Sequence, residues 1–92
     1  MDYQNHYIKL IQTRQLLNRV KNNDGYLESH HIIPRCLGGG NNNENLVLLT
    51  PREHYIAHWL LYKMYDGVQK AKLAYAFFKM SSNNQNQQRK FN

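Results

Sequence analysis

Ninety-two residues suffice for one small domain, near the size at which a metal or a partner often supplements a modest core. Twelve Lys and Arg against six Asp and Glu leave a net charge of +6, scattered rather than run together, which suits a polyanion more than an acidic surface. A single cysteine, Cys36, excludes an internal disulfide and any Cys-pair zinc ribbon. No apolar run nears the roughly 20 residues of a membrane span, and the N-terminus lacks the form of a signal peptide. The composition therefore reads as soluble and cytoplasmic, with no membrane partner.

Asp2 is placed to cap a helix predicted over residues 3–21, whose Tyr3, Tyr7, Leu10, Ile11, Leu17 and Val20 recur at helical spacing. His6 lies on this helix with no ligand-type neighbour and reads as a solvated histidine. Asn22-Asn23-Asp24-Gly25 is a strong turn that closes a first segment, residues 1–25. Residues 26–33 read as a strand stopped by Pro34, which cannot donate to a ladder. A stretch with three glycines and three asparagines follows, without periodicity, as a long connection between two strands. Leu46-Val47-Leu48-Leu49 is the second strand, wholly apolar and so expected to be buried on both faces.

Thr50-Pro51-Arg52-Glu53 is the clearest local signal: a cap, a proline at the first helical position and a capping-box glutamate. The helix it starts should run to about residue 65, with Trp59, Tyr55 and Tyr62 packing against the first helix. Residues 26–66 form the central unit. After Asp66-Gly67, a further helix is predicted within 67–80, and residues 81–92 are a polar segment expected to be mobile. Helix, strand, strand, helix, helix is an α+β arrangement.

Four of the five histidines fall between residues 30 and 58. His54 and His58 sit four apart, so their rings leave one helical face about a turn apart, close enough to share a divalent cation. His30 and His31 are adjacent, and successive strand residues point to opposite faces. One of them can complete a three-histidine site with positions open to water and substrate; the other is left outside it. A free imidazole beside such a centre, with its ordinary titration near neutrality, is a natural general base.

The run His30-His31-Ile32-Ile33-Pro34, with Gly38-Gly39, Asn45-Leu46-Val47-Leu48, Glu53-His54 and His58 four residues later, resembles the HNH (His-Me finger, ββα-metal) endonuclease family, and within it small phage-type homing endonucleases. The resemblance covers residues 28–65. It implies a ββα-metal core flanked by an N-terminal and a C-terminal helix, and hydrolysis of DNA phosphodiester bonds. By position it makes His31 the general base, His30, His54 and His58 the ligands of one divalent metal ion, and Asn45 the residue fixing the loop between the strands. Glu28 matches an acidic residue that helps to orient the site in some members.

Three imidazoles suit Zn, Ni, Co or Mn better than Mg, and the identity of the metal is left open. Arg35 and Arg52 flank the two halves of the motif as candidate phosphate contacts. Lys63, Lys70, Lys72 and Lys79 are further candidates for backbone contact. Cys36 reads as a bystander. The expected partner is double-stranded DNA. Homing nucleases of this kind commonly continue into helical DNA-binding segments, so the chain is either a piece of a protein with a further C-terminal DNA-binding region or a small nicking enzyme acting with a partner, a homodimer included. The competing readings are a non-cleaving nucleic-acid-binding module on the same fold and a structural zinc module.

Overall fold

A computed structural model describes residues 1–82. Helix α1 spans Tyr3–Gln15, strands β1 and β2 span Glu28–His31 and Leu46–Leu49, and helices α2 and α3 span Pro51–Met64 and Gly67–Ser82. Of the segment expected to be mobile, residues 81–92, the first two residues continue α3, and the rest lies outside the described residues. None of the described helices is long and apolar enough to cross a membrane.

Asp2 caps α1 by accepting a hydrogen bond from the Asn5 backbone N–H at 3.0 Å. Tyr7 and Ile11, one turn apart, are its buried face, with Tyr3 and Leu10 packed beside them. The helix ends at Gln15, six residues earlier than its apolar pattern suggests, and Leu17 and Val20 are exposed. Asn18 takes a left-handed φ of 49°, a conformation that asparagine tolerates better than most residues. Leaving the helix there lets Arg19 turn back on the globule. Its guanidinium meets Glu53 at 2.6 Å and 3.2 Å and the Leu48 carbonyl at 3.2 Å, while Arg14 donates to the same carboxylate at 2.7 Å. A tertiary ion pair has overridden local helical preference.

The strands pair antiparallel, with Glu28 opposite Leu49, His30 opposite Val47 and His31 opposite Leu46. Glu28, His30, Val47 and Leu49 face inward. Leu46 and Leu48 alternate with them and are only half-buried, so β2 is not buried on both faces as its composition suggested. A two-stranded ribbon backed on one side by α1 and α2 offers a single interior. Strand β1 is also shorter than predicted, because Ile33 N–H goes to the Asn45 side chain instead of a ladder partner. The connection between the strands contains two short 3₁₀ turns, Arg35–Leu37 and Asn43–Asn45, the first closed by Gly38 at φ 98°.

Helix α2 starts as its sequence dictates: Glu53 N–H donates to Thr50 Oγ1 at 3.2 Å, and Thr50 N–H returns a bond to Glu53 Oε1 at 2.9 Å. It packs between α1, α3 and the hairpin. Ala57, Leu60 and Leu61 meet Tyr7, Ile11, Val47, Leu49 and, from α3, Leu73 in one core. Trp59 does pack on α1, edge-on to Tyr3 with centroids 5.7 Å apart. Tyr55 and Tyr62 turn the other way, toward Phe77 and Lys70 of α3.

Burial would raise the Glu53 pKa, but hydrogen bonds from Arg19, the Thr50 backbone and Arg14 outweigh it and hold the carboxyl at about 2, against an ordinary 4.5. The unfolded chain therefore binds the extra proton first as pH falls, and the carboxylate's contribution is complete above pH 4.5 and lost toward pH 2. Glu53→Gln should cost about 2 kcal/mol at neutral pH, the scale of charged hydrogen bonds. In urea unfolding followed from pH 7 to pH 3 it should flatten the acid-side loss of stability; an acid limb as steep as that of the parent chain would refute this account.

Candidate functional site

His54 and His58, one turn apart on α2, face His30 on the inner side of β1. Ring centroids are 5.1 Å apart for His30–His54, 5.2 Å for His30–His58 and 4.9 Å for His54–His58. One ligand nitrogen from each lies within 4.8 Å of the others, and among the described residues this is the group able to hold a metal ion. His30 is 1% exposed and His54 9%, while His58 is half-buried. Burial first, then the imidazoles of His54, His58 and His31, push the His30 pKa down to about 2. Its ring is therefore neutral and keeps a lone pair at any ordinary pH.

Two of the three imidazoles, those of His54 and His30, are held from behind by hydrogen bonds. Glu28 Oε1 lies 2.7 Å from His54 Nδ1. A carboxylate oxygen accepts, so His54 carries its proton on Nδ1 and presents Nε2. Tyr26 donates to the other Glu28 oxygen at 2.9 Å. His30 Nε2 lies 2.8 Å from the Tyr7 hydroxyl. His30 Nδ1 is buried without a hydrogen-bond partner, an arrangement that ordinarily costs about 1–3 kcal/mol. A buried orphan nitrogen, beside two further imidazoles with nitrogens in reach, is the donor set of a divalent cation of borderline softness. The residues present fit such an ion.

His31 leaves the ribbon on the opposite side from His30 and stays half-buried, its Nε2 2.7 Å from Asn41 Oδ1. It nonetheless lines one cleft of about 720 Å³ together with His54 and His58. Arg35, Tyr75 and Lys79 complete the walls of this cleft, and the exposed Cys36 borders it without joining the three-nitrogen group.

Asn45 does not begin β2 but ends the 3₁₀ turn before it, 8% exposed. Its Oδ1 accepts from Ile33 N–H at 2.8 Å, and its Nδ2 donates to Ile33 O at 3.0 Å and to Gly40 O at 2.9 Å. One side chain thereby closes the loop onto the residues just after His31. Gly39 is required for the same closure, because a β-carbon there would overlap the Ile33 carbonyl and come within 2.9 Å of Asn45 Nδ2.

Of the candidates for phosphate contact, the cleft includes Arg35 and Lys79 but neither Arg52 nor Lys63, whose ammonium sits over the Trp59 ring at 5.8 Å. His6 is exposed on α1. Sequence reasoning missed Tyr7, which it read as plain core, and Tyr75. Tyr7 falls on the same helical stripe as Ile11, so nothing in its spacing marks it as a hydrogen-bonding partner of the site.

An antiparallel hairpin closed by a helix, with three histidines converging between them, is a ββα-metal core. The chain is 46% identical over 80 residues to probable mobile endonuclease E of Enterobacteria phage T4, an alignment covering 87% of this chain and 52% of that protein. It is 52% identical over 67 residues to probable mobile endonuclease D (71% of this chain, 26% of that protein) and 52% over 68 residues to probable mobile endonuclease B (71% and 25%), both of the same phage. These relatives bear out the resemblance to phage-type endonucleases carried by the motifs. The chain spans from about a quarter to half of their length. No family model matches it, and no solved structure does.

Asn45→Asp keeps the acceptor for Ile33 N–H but turns a second acceptor toward the Ile33 and Gly40 carbonyls. It should destabilise the fold by about 2 kcal/mol, as should Gly39→Ala by backbone overlap. Chemical unfolding of both variants reads this directly, and losses under about 0.5 kcal/mol, the scale of an ordinary surface change, would show that the loop is not locked in this way.

Proposed function

We propose that this chain carries the nuclease centre of a metal-dependent HNH-type endonuclease that hydrolyses double-stranded DNA. On this reading His31 is the general base, and His30, His54 and His58 hold one divalent cation. The observation that carries the proposal is the placing of His31: outside the three-nitrogen cluster, yet on the same cleft as His54 and His58. The names of the phage relatives, mobile endonucleases, agree with it. Three nitrogens, one short of a closed structural zinc site, leave room for water and substrate.

Hydrolysis needs a water aligned with the scissile P–O3′ bond and an acceptor for its proton. His31 takes that proton as the new O–P bond forms and the P–O3′ bond breaks; the departing O3′ takes a proton from solvent, leaving a 5′-phosphate and a 3′-hydroxyl. When bound, the cation supplies Lewis-acid stabilisation of the charge that builds on the phosphate oxygens. Glu28 orients His54 by accepting the hydrogen bond from its Nδ1–H. Asn45 holds the loop that follows His31 and so fixes the direction of that ring. Arg35 and Lys79 set positive charge on the cleft walls, where a phosphate backbone would lie. The net charge of +6 favours the approach of that polyanion.

The test is supercoiled plasmid cleavage by the 92-residue chain with Mg, Mn, Co, Ni or Zn, beside His31→Ala. The variant should cut at least roughly 100-fold more slowly, the usual contribution of a general base, and should bind the ion as tightly as the parent. Cleavage by His31→Ala at the parental rate would dismiss His31 as the base.

A further inference from the structure

We propose that Tyr7, on the N-terminal helix, is a positioning residue that fixes the tautomer of His30, so that His30 would bind the cation through Nδ1 whereas His54 binds through Nε2. The inference rests on the cation-site reading given above, and it concerns which atom of His30 does the binding and what selects it.

The Tyr7 oxygen has two close neighbours, His30 Nε2 at 2.8 Å and the Ile32 carbonyl oxygen at 2.7 Å. It owns one proton. A carbonyl oxygen can only accept, so two oxygens 2.7 Å apart need the tyrosine proton between them. Toward His30 the hydroxyl is then an acceptor, and Nε2 must be the nitrogen that carries hydrogen. The opposite assignment fails twice. It would set the Tyr7 and Ile32 oxygens against each other without a proton, and it would put an N–H on His30 Nδ1, which is buried and has no acceptor. With Nε2 protonated, the lone pair falls on Nδ1.

Tyr7 is 5% exposed, and a phenol, with an ordinary pKa of about 10, keeps its proton at neutral pH. It therefore stays a neutral hydroxyl with its proton in place. The Ile32 carbonyl that receives this proton belongs to the residue immediately after His31, so a single hydroxyl ties α1 both to the back of His30 and to the point where the chain leaves β1. A hydrogen bond behind a metal-binding imidazole sets ring orientation as well as tautomer, and loss of such a partner typically weakens metal affinity 10- to 100-fold.

Two measurements decide the matter. The first is Zn²⁺ and Co²⁺ affinity of the parent chain and of Tyr7→Phe, by competition with a chromophoric chelator, with His30→Ala as reference. Tyr7→Phe should bind about 10- to 100-fold more weakly and should shift the visible spectrum of the Co²⁺ form. The second is the imidazole ¹⁵N spectrum of the Zn²⁺-loaded parent, which should show His30 protonated at Nε2 and bound through Nδ1, with His54 the other way round. This second reading stands even if Tyr7→Phe does not fold.

A purely structural tyrosine would lower the unfolding free energy of the variant but leave cation affinity and Co²⁺ spectrum unchanged. That result, or a His30 bound through Nε2, overturns the proposal while leaving the cation site intact. A parent chain that binds neither ion overturns the cation site itself.

Discussion

Three imidazoles gathered within reach of one another, that of His30 fully buried, form an arrangement that is costly to bury without polar partners. Hydrogen bonds from outside the cluster hold two of these rings. Glu28 serves His54 and Tyr7 serves His30. Those partners come from β1 and α1, so the cluster exists only when the hairpin, α2 and the N-terminal helix are assembled together. Burial then acts as a safeguard: it holds the His30 pKa near 2 and keeps the ring from being lost to a proton.

The N-terminal helix thereby acquires a definite task. Beside its apolar packing on α2 and β2, it makes polar contact with the hairpin-and-helix unit at two chemically different points. Tyr7 reaches the site from behind, through the core. Arg14, with Arg19 just beyond the helix, grips Glu53, the residue beside His54 that starts α2. The glutamate is shared between the local capping box and the two arginines, so the register of α2, and with it the direction of His54 and His58, is fixed by α1 and its exit turn. A small domain with few core residues gains its order here from polar contacts that have no freedom to slide.

The parts legible in the sequence were those written in local spacing. Thr50-Pro51-Arg52-Glu53 announced the start of α2, and the interval from His54 to His58 announced a shared face. The pairing of His30 with these two could be inferred because strand alternation admits one of two neighbours to the interior. What could not be read was whatever depends on contacts between distant segments. The early end of α1 follows from Arg19 finding Glu53, 34 residues away. The half-exposed outer side of β2 follows from the sheet having two strands and helices on one face only, which four consecutive apolar residues do not reveal. Tyr7 was hidden for another reason: a core tyrosine and a hydrogen-bonding tyrosine occupy the same helical stripe, and only the position of its hydroxyl tells them apart.

The proposed division of labour between His30 and His31 would come from where the ladder stops. Inside a regular strand, a residue facing away from the cluster would be carried to the far side of the sheet and lost to the site. Here the ladder ends at His31, and the next two residues are held by Asn45 through its backbone carbonyl to Ile32 N–H at 2.8 Å and its side chain to Ile33. The chain then turns through Pro34 and Arg35, which line the same cleft. His31 therefore stands at an edge, excluded from the buried cluster by strand alternation but brought to the mouth of its cleft by the turn. Asn45 makes that position stable, and because it acts on the backbone after His31 it does so without occupying the cleft. A longer strand would have kept both histidines and separated them by the thickness of the sheet.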